Sequence, residues 1–215
     1  MNTTRDLVLR FIKGFLIPTL VLKRKVHFPG KRGRETLAEH LVQLLYFAEF
    51  FVNKYVPPYD LARVREYILA HDMSEPATVH AKRNGFDICR FNASSELIRR
   101  KKELERQALS LQRRQFPELE ALATMSDRYE EREDAESRFV KAIDALVPML
   151  NTIIDHGRTN HIDRITLKMW RADREWRIKL DPYVFGYYKK EVLPLLIARE
   201  EELFSEPPQG EFKLE

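Results

Sequence analysis

The chain has 215 residues, with 37 Lys and Arg against 33 Asp and Glu, for a formal net charge of +4 and a pI near 9.1. Hydrophobic residues make up 44%, enough to bury a core, so a disordered chain is excluded. Seven glycines are too few for the hairpin turns of an all-β domain, and one cysteine, Cys89, excludes an intrachain disulfide or a cysteine-cluster metal site.

The four-residue steps of Leu7, Phe11 and Phe15 predict an amphipathic helix ending near Pro18. Arg10, Lys13, Gly14 and Pro18 interrupt the apolar stretch 7–22, so neither a membrane span nor a signal peptide is expected, and the cytoplasm is the expected location. Residues 1–34 hold nine basic side chains against the single acid Asp6. Such a segment suits nucleic acid, a membrane surface, a phosphorylated small molecule, or no partner at all. With Pro29, Gly30 and Gly33, residues 23–34 read as a basic loop.

A long helix is expected over 35–55, stopped by Pro57 and Pro58, and Asp60 then caps a helix over 61–71. Residues 73–94 are irregular. Ser94 opens a charged helix to about residue 115, which Pro117 ends. Another helix over 131–154 contains Pro148 and needs a kink there. Closing helices are expected over 161–178 and 182–204, followed by a frayed tail, 205–215. The fold class is therefore all-α: one helical domain over 1–204, with a basic N-terminal part (1–34), a core (35–155) and closing helices (160–204).

Four polar residues fall at helix positions that the pattern reserves for apolar ones. His40 shares a face with Leu37, Leu44, Phe47 and Phe51; His71-Asp72 ends the run Tyr67-Ile68-Leu69-Ala70; Asp144 lies within the apolar stretch 139–147. Each has an ordinary reading on its own. The histidine is a hydrogen-bonded core residue, His71-Asp72 is a helix C-terminal cap, or Asp144 pairs with Lys141 on the helix surface. Taken together, three helices each bring a ligand-type residue to a buried face, and unpaired buried carboxylates cost several kcal/mol. A divalent cation satisfies all four.

The segments Glu35-Thr36-Leu37-Ala38-Glu39-His40, Ala70-His71-Asp72-Met73-Ser74-Glu75 and Arg138-Phe139-Val140-Lys141-Ala142-Ile143-Asp144 resemble the HD-domain metal-dependent phosphohydrolases. Among these, the chain is similar to small bacterial and archaeal proteins of the 5′-deoxynucleotidase type. The resemblance implies an HD-type helical bundle with the metal site between core helices. It implies that His40, His71, Asp72 and Asp144 bind one divalent metal, and that Glu75, with Asp72, forms the catalytic group that activates water. Two nitrogens and two or more oxygens suit Mn²⁺, Co²⁺, Fe²⁺, Ni²⁺ or Zn²⁺ better than Mg²⁺ or Ca²⁺.

Arg34 and Lys25 are the expected phosphate-holding cations. Lys141 either joins them or holds Asp144 in place, and Glu39 either orients a ligand or is exposed. The sequence departs from the resembling nucleotidases where Thr78-Val79-His80 stands in place of Thr-Gly-Asp. His80 is therefore an acid–base group, an added ligand or a surface residue, and Asp87 is an alternative carboxylate. The upstream Arg-Trp pair of that branch has only Lys25-Val26-His27 as its counterpart, which leaves Phe28 for base stacking. The aromatic cluster Trp170, Trp176, Tyr183, Phe185, Tyr187 and Tyr188 reads as core or a dimer face, and His156 and His161 as solvent-exposed.

The expected reaction is release of phosphate from a 5′-(deoxy)nucleoside monophosphate. A nucleoside triphosphate or an alarmone is the alternative substrate, and a non-catalytic metal-containing binding module is the alternative of another class. The expected partners are a small nucleotide and a second copy of the chain, with no membrane and no nucleic acid.

Overall fold

In the computed structural model the described residues are 4–30, 33–75 and 94–206. His80, Asp87, Cys89, the side chain of Lys25 and the tail beyond residue 206 lie outside them. The first helix does not stop at Pro18. Helix α1 (Thr4–Phe11) continues through a π-helical turn (Ile12–Leu16) into α2 (Ile17–Val21), and Pro18 sits in the first turn of α2, where its missing N–H is harmless. Gly14 in the widened turn allows close approach. A Cβ there would lie 2.9 Å from Cζ of Phe116, a ring that also packs edge-on against Phe11 and Phe15.

The basic segment expected as a loop is instead a two-stranded antiparallel ribbon, β1 (Lys23–His27) and β2 (Arg34–Thr36). Lys23 lies opposite Thr36 and His27 opposite Arg34, with an irregularity between. Its inward residues include Arg24 and Glu35 rather than apolar side chains, so the usual apolar alternation of a strand is absent. Thr36 ends β2 and opens α3 (Leu37–Tyr55) with a reciprocal cap. Its hydroxyl accepts from the Glu39 amide at 3.2 Å, and the Glu39 carboxylate accepts from the Thr36 amide at 2.7 Å. Capping is thus the role of Glu39. Asp60 caps α4 (Leu61–Ala70), as expected.

Ser94 caps α5 (Ser95–Gln115), and α6 (Glu120–Glu131) follows a single 3₁₀ turn (Pro117–Leu119). Helix α6 has no clear signal in the sequence, because its buried positions are Ala123, Ser126 and Tyr129, a face with no aliphatic stripe. Helix α7 (Ala135–Ile154) is the hub. More than half of its 20 residues are buried, among them Phe139, Val140, Ile143, Leu146 and Met149, and Pro148 lies inside the helix. It packs against α3, α4 and α9 (Leu167–Ile178), while the short α8 (Arg158–Asp163) precedes α9 and reaches β1. The last expected helix is broken into α10 (Pro182–Tyr187), a second π-helical turn (Tyr188–Val192), α11 (Leu193–Ala198) and α12 (Glu200–Leu203).

Leu44, Phe51, Tyr67, Ile68, Phe139, Ile143 and Leu146 form the centre of the core. The late aromatics divide: Trp170 and Tyr188 are buried, whereas Trp176 and Tyr183 are exposed. No helix among the described residues is long and apolar enough to cross a membrane.

Asp134 fastens the hub helix. Its carboxylate caps α7 through the Ser137 amide at 2.8 Å and accepts the Tyr67 hydroxyl at 2.7 Å. Burial works against ionisation, but the Ser137 amide and the Tyr67 and Ser137 hydroxyls hold the carboxyl below its ordinary 3.8. Asp134→Ala is expected to cost about 1–2 kcal/mol in urea unfolding. A depressed pKa gives stability that is lost on acidification. The gap between wild type and variant should therefore be full above about pH 5 and shrink as the pH falls below that range.

Candidate metal centre

The sequence delivers the four ligand-type residues by different routes. His40 lies in the first turns of α3, fully buried; His71 caps the C-terminus of α4, its amide donating to the Tyr67 carbonyl at 2.9 Å; Asp144 comes from the middle of α7. Beyond Asp72 the helix gives way to tighter turns, with the Met73 amide bonded to Ala70 at 3.1 Å and the Glu75 amide to Asp72 at 3.0 Å.

The side chains converge. His40 Nε2 lies 3.2 Å from Asp144 Oδ1, and His71 Nε2 lies 3.2 Å from Asp72 Oδ2 and 4.0 Å from Asp144 Oδ1. The imidazole centroids are 5.5 Å apart, and one donor atom from each of His40, His71 and Asp72 lies within 4.8 Å of the others. His71 Nδ1 donates to the Ile68 carbonyl at 2.7 Å, which fixes the ring and turns Nε2 toward the cluster. Both Nε2 atoms are buried and, close as they lie to carboxylate oxygens, neither has a hydrogen bond of good geometry among the described residues. Adjacent donors in a six-coordinate shell of transition-metal size stand about 3 Å apart. The orphaned nitrogens, their spacing and the mixed nitrogen–oxygen donor set thus fit a divalent cation.

Arg24 of β1 governs the charge balance. Its Nη1 donates to Asp72 Oδ2 at 2.6 Å, and its Nε lies 3.2 Å from Glu35 Oε2. Burial opposes the charge on Arg24, but Asp72, Glu75, Glu35 and Asp144 outweigh it and hold the proton firmly. Glu35, 1% exposed and 3.7 Å from His40 Nδ1, is pushed up to about 7 by burial, against the pull of Arg24. Asp72 and Asp144 go the other way. Burial raises both, yet His71 and Arg24 at Asp72, and His40, His71 and Arg24 at Asp144, hold them well below the usual carboxylate range. Burial and then Arg24 push His40 down to about 4, leaving it neutral near pH 7. Burial also pulls on His71, but Asp72 and Asp144 prevail and raise it to about 8, so a cation taken by this nitrogen displaces a proton. Glu75 is pushed up to about 7 by burial and by Asp72.

The expected phosphate-holding groups are placed differently. Arg34 alternates with Glu35 along β2, stands opposite His27 in the ribbon and, with burial and Arg158, disfavours the charged form of that imidazole. Lys141 does not reach Asp144. Its Nζ lies 2.9 Å from Glu130 Oε1 and 4.4 Å above the Tyr129 ring. His80 and the Lys25 side chain are outside the described residues. Four residues at the site went unassigned in the sequence: Arg24, Glu35, Arg177 and Tyr129. Arg177 Nη1 lies 4.0 Å from Asp144 Oδ2 while its Nη2 bonds Asp173 at 2.5 Å. Neighbouring Arg174 donates to the Ala145 carbonyl at 3.4 Å, and burial and Arg177 pull it down to about 9. The available signal was position: Arg24 within Lys23-Arg24-Lys25, and Glu35 five residues before His40.

A helical protein with one short ribbon and a buried set of mixed nitrogen and oxygen donors is the class this architecture defines. The HD domain family matches residues 21–179, and the chain belongs to that family. Its fold is also similar to a crystal structure from Magnetospirillum magnetotacticum MS-1, of a protein described as a predicted metal-dependent phosphohydrolase. The TM-score is 0.71 and the identity 21%, over 96% of this chain and 100% of the other. No curated protein matches.

Removing one member of a buried ionic set leaves the others uncompensated, typically at about 3–5 kcal/mol. Arg24→Gln is expected to lower stability by that amount in urea unfolding with a chelator present.

Proposed function

We propose that this chain is a metal-dependent phosphohydrolase that releases phosphate from a 5′-(deoxy)nucleoside monophosphate. One observation carries the reading: two orphaned imidazole nitrogens and two ionised carboxylates share a buried site with the Arg24 guanidinium. Membership of the HD domain family supports it, as does the fold shared with a protein described as a metal-dependent phosphohydrolase. His40, His71, Asp72 and Asp144 would hold the cation, and the donor set suits Mn²⁺, Co²⁺, Fe²⁺, Ni²⁺ or Zn²⁺. When bound, such an ion supplies Lewis acidity to a phosphoryl oxygen and eases deprotonation of water.

The remaining steps belong to side chains. Glu75, raised to about 7, takes a proton from water near neutrality and returns one to the leaving alkoxide. Arg24, which bonds Asp72 at the centre of the cluster and carries a fork of N–H donors, joins Arg34 as a phosphate-binding group. A second substrate reading rests on Arg174 and Arg177. These two guanidiniums from α9 lie beside Asp144 and favour a substrate with more than one phosphate, such as a nucleoside triphosphate or an alarmone.

Purified protein is expected to release phosphate from at least one nucleoside monophosphate with Mn²⁺ or Co²⁺ present. A panel of mono-, di- and triphosphates assayed side by side separates the two substrate readings. Asp72→Ala should lower both metal content and turnover, the latter by at least about 100-fold. Undiminished turnover in that variant overturns the reading.

We also infer that a second copy of the chain covers one face of α3. Val42, Tyr46 and Phe50 stand 50%, 75% and 66% exposed at four-residue steps, beside a groove of about 640 Å³ that Phe28 also lines. A straight apolar stripe on one helix is self-complementary about a two-fold axis. Light scattering should give twice the chain mass for the wild type and the single-chain mass for Tyr46→Asp.

A further inference from the structure

Tyr129 on α6 is 1% exposed, and its hydroxyl has no hydrogen-bond partner among the described residues. An orphaned buried hydroxyl costs about 1–3 kcal/mol. Other buried or half-buried tyrosines avoid that cost: Tyr67 donates to Asp134 and Tyr188 to Glu175, both at 2.7 Å, and Tyr59 donates to Asp181. Tyr129 is also held firmly in place. Its ring lies edge-to-face with His71, centroids 5.5 Å apart, while the Lys141 ammonium sits 4.4 Å from the ring centroid and is itself tied to Glu130.

The hydroxyl therefore belongs to the same buried neighbourhood as the metal-site residues. Asp144 and Asp72 are the charged groups that bear on it most, and burial together with these two carboxylates keeps the phenol protonated. A neutral phenol is a hydrogen-bond donor. Neither carboxylate accepts from it, so its acceptor is an oxygen that the described residues do not supply.

We propose that Tyr129 is a further catalytic residue of this site, whose hydroxyl donates to a phosphoryl oxygen of the substrate. The proposal rests on the phosphohydrolase reading above. It makes the buried hydroxyl a neutral donor within the set of groups that surround Asp72 and Asp144, to which Arg24 also belongs, so the phosphate is met by one charged and one uncharged donor. The uncharged one adds no repulsion toward the cation.

The test uses full-length metal-loaded wild type and Tyr129→Phe, which keeps the ring against His71 and under Lys141. Calorimetric binding of inorganic phosphate is expected to weaken about 10- to 100-fold. The kcat/KM on the best nucleotide should fall by a similar factor, with metal content unchanged and the melting temperature unchanged or higher. Phosphate affinity and kcat/KM both within twofold of wild type overturn the proposal. So does a clear drop in melting temperature, which would show that the hydroxyl is bonded within the protein. If the metal-loaded wild type binds phosphate but turns over no nucleotide, the hydrolase reading fails, and the phosphate affinities alone decide the role of Tyr129.

Discussion

Arg24 reaches Asp72 at 2.6 Å and Glu35 at 3.2 Å, and on this guanidinium the whole buried cluster depends. Two carboxylates and two imidazoles packed between helices would repel or protonate one another without a fixed positive charge among them. The cation comes from a strand, not a helix, so the short ribbon is what completes the centre of a helical protein. The ribbon in turn is tied at both ends: the Leu37 amide bonds to the Leu22 carbonyl at 2.8 Å, and the His27 amide to the Thr159 hydroxyl at 2.9 Å. Residues far apart in the chain therefore fix the position of one guanidinium.

The carboxyls around that charge divide into two kinds. Asp72 and Asp144 are held ionised by the imidazoles and Arg24, whereas Glu35 and Glu75 are raised to about 7, chiefly by burial. The first kind is suited to gripping a cation and the second to exchanging protons near neutrality. The difference comes from placement within a few ångströms, since all four are ordinary carboxylic acids.

His40, His71, Asp72 and Asp144 were legible in the sequence because each violates a helical apolar pattern, and a buried polar residue is informative wherever the period is clear. Arg24 and Glu35 were not, because the inward side of their ribbon is ionic and offers no apolar alternation to read. Arg34 stands out in the sequence through local charge density, and the ribbon sets it opposite His27. Helix α6, with Ala123, Ser126 and Tyr129 inward, has no aliphatic stripe. The closing segment shows the opposite case, a strong apolar pattern that carries no sign of its breaks. Pro18 and Pro194 each follow a π-helical turn, a widening by which the chain carries on past a residue that normally punctuates it.

Pro148 within α7 has a consequence for Asp144. A proline has no N–H, so the carbonyl four residues before it, that of Asp144, lacks its regular helical donor. The hub helix is missing a rung at the very residue it contributes to the cluster. Its side chain is instead steadied from across the bundle, by His40 at 3.2 Å on one side and Arg177 at 4.0 Å on the other. The helix sets how deep this carboxylate sits, and its neighbours set where it aims.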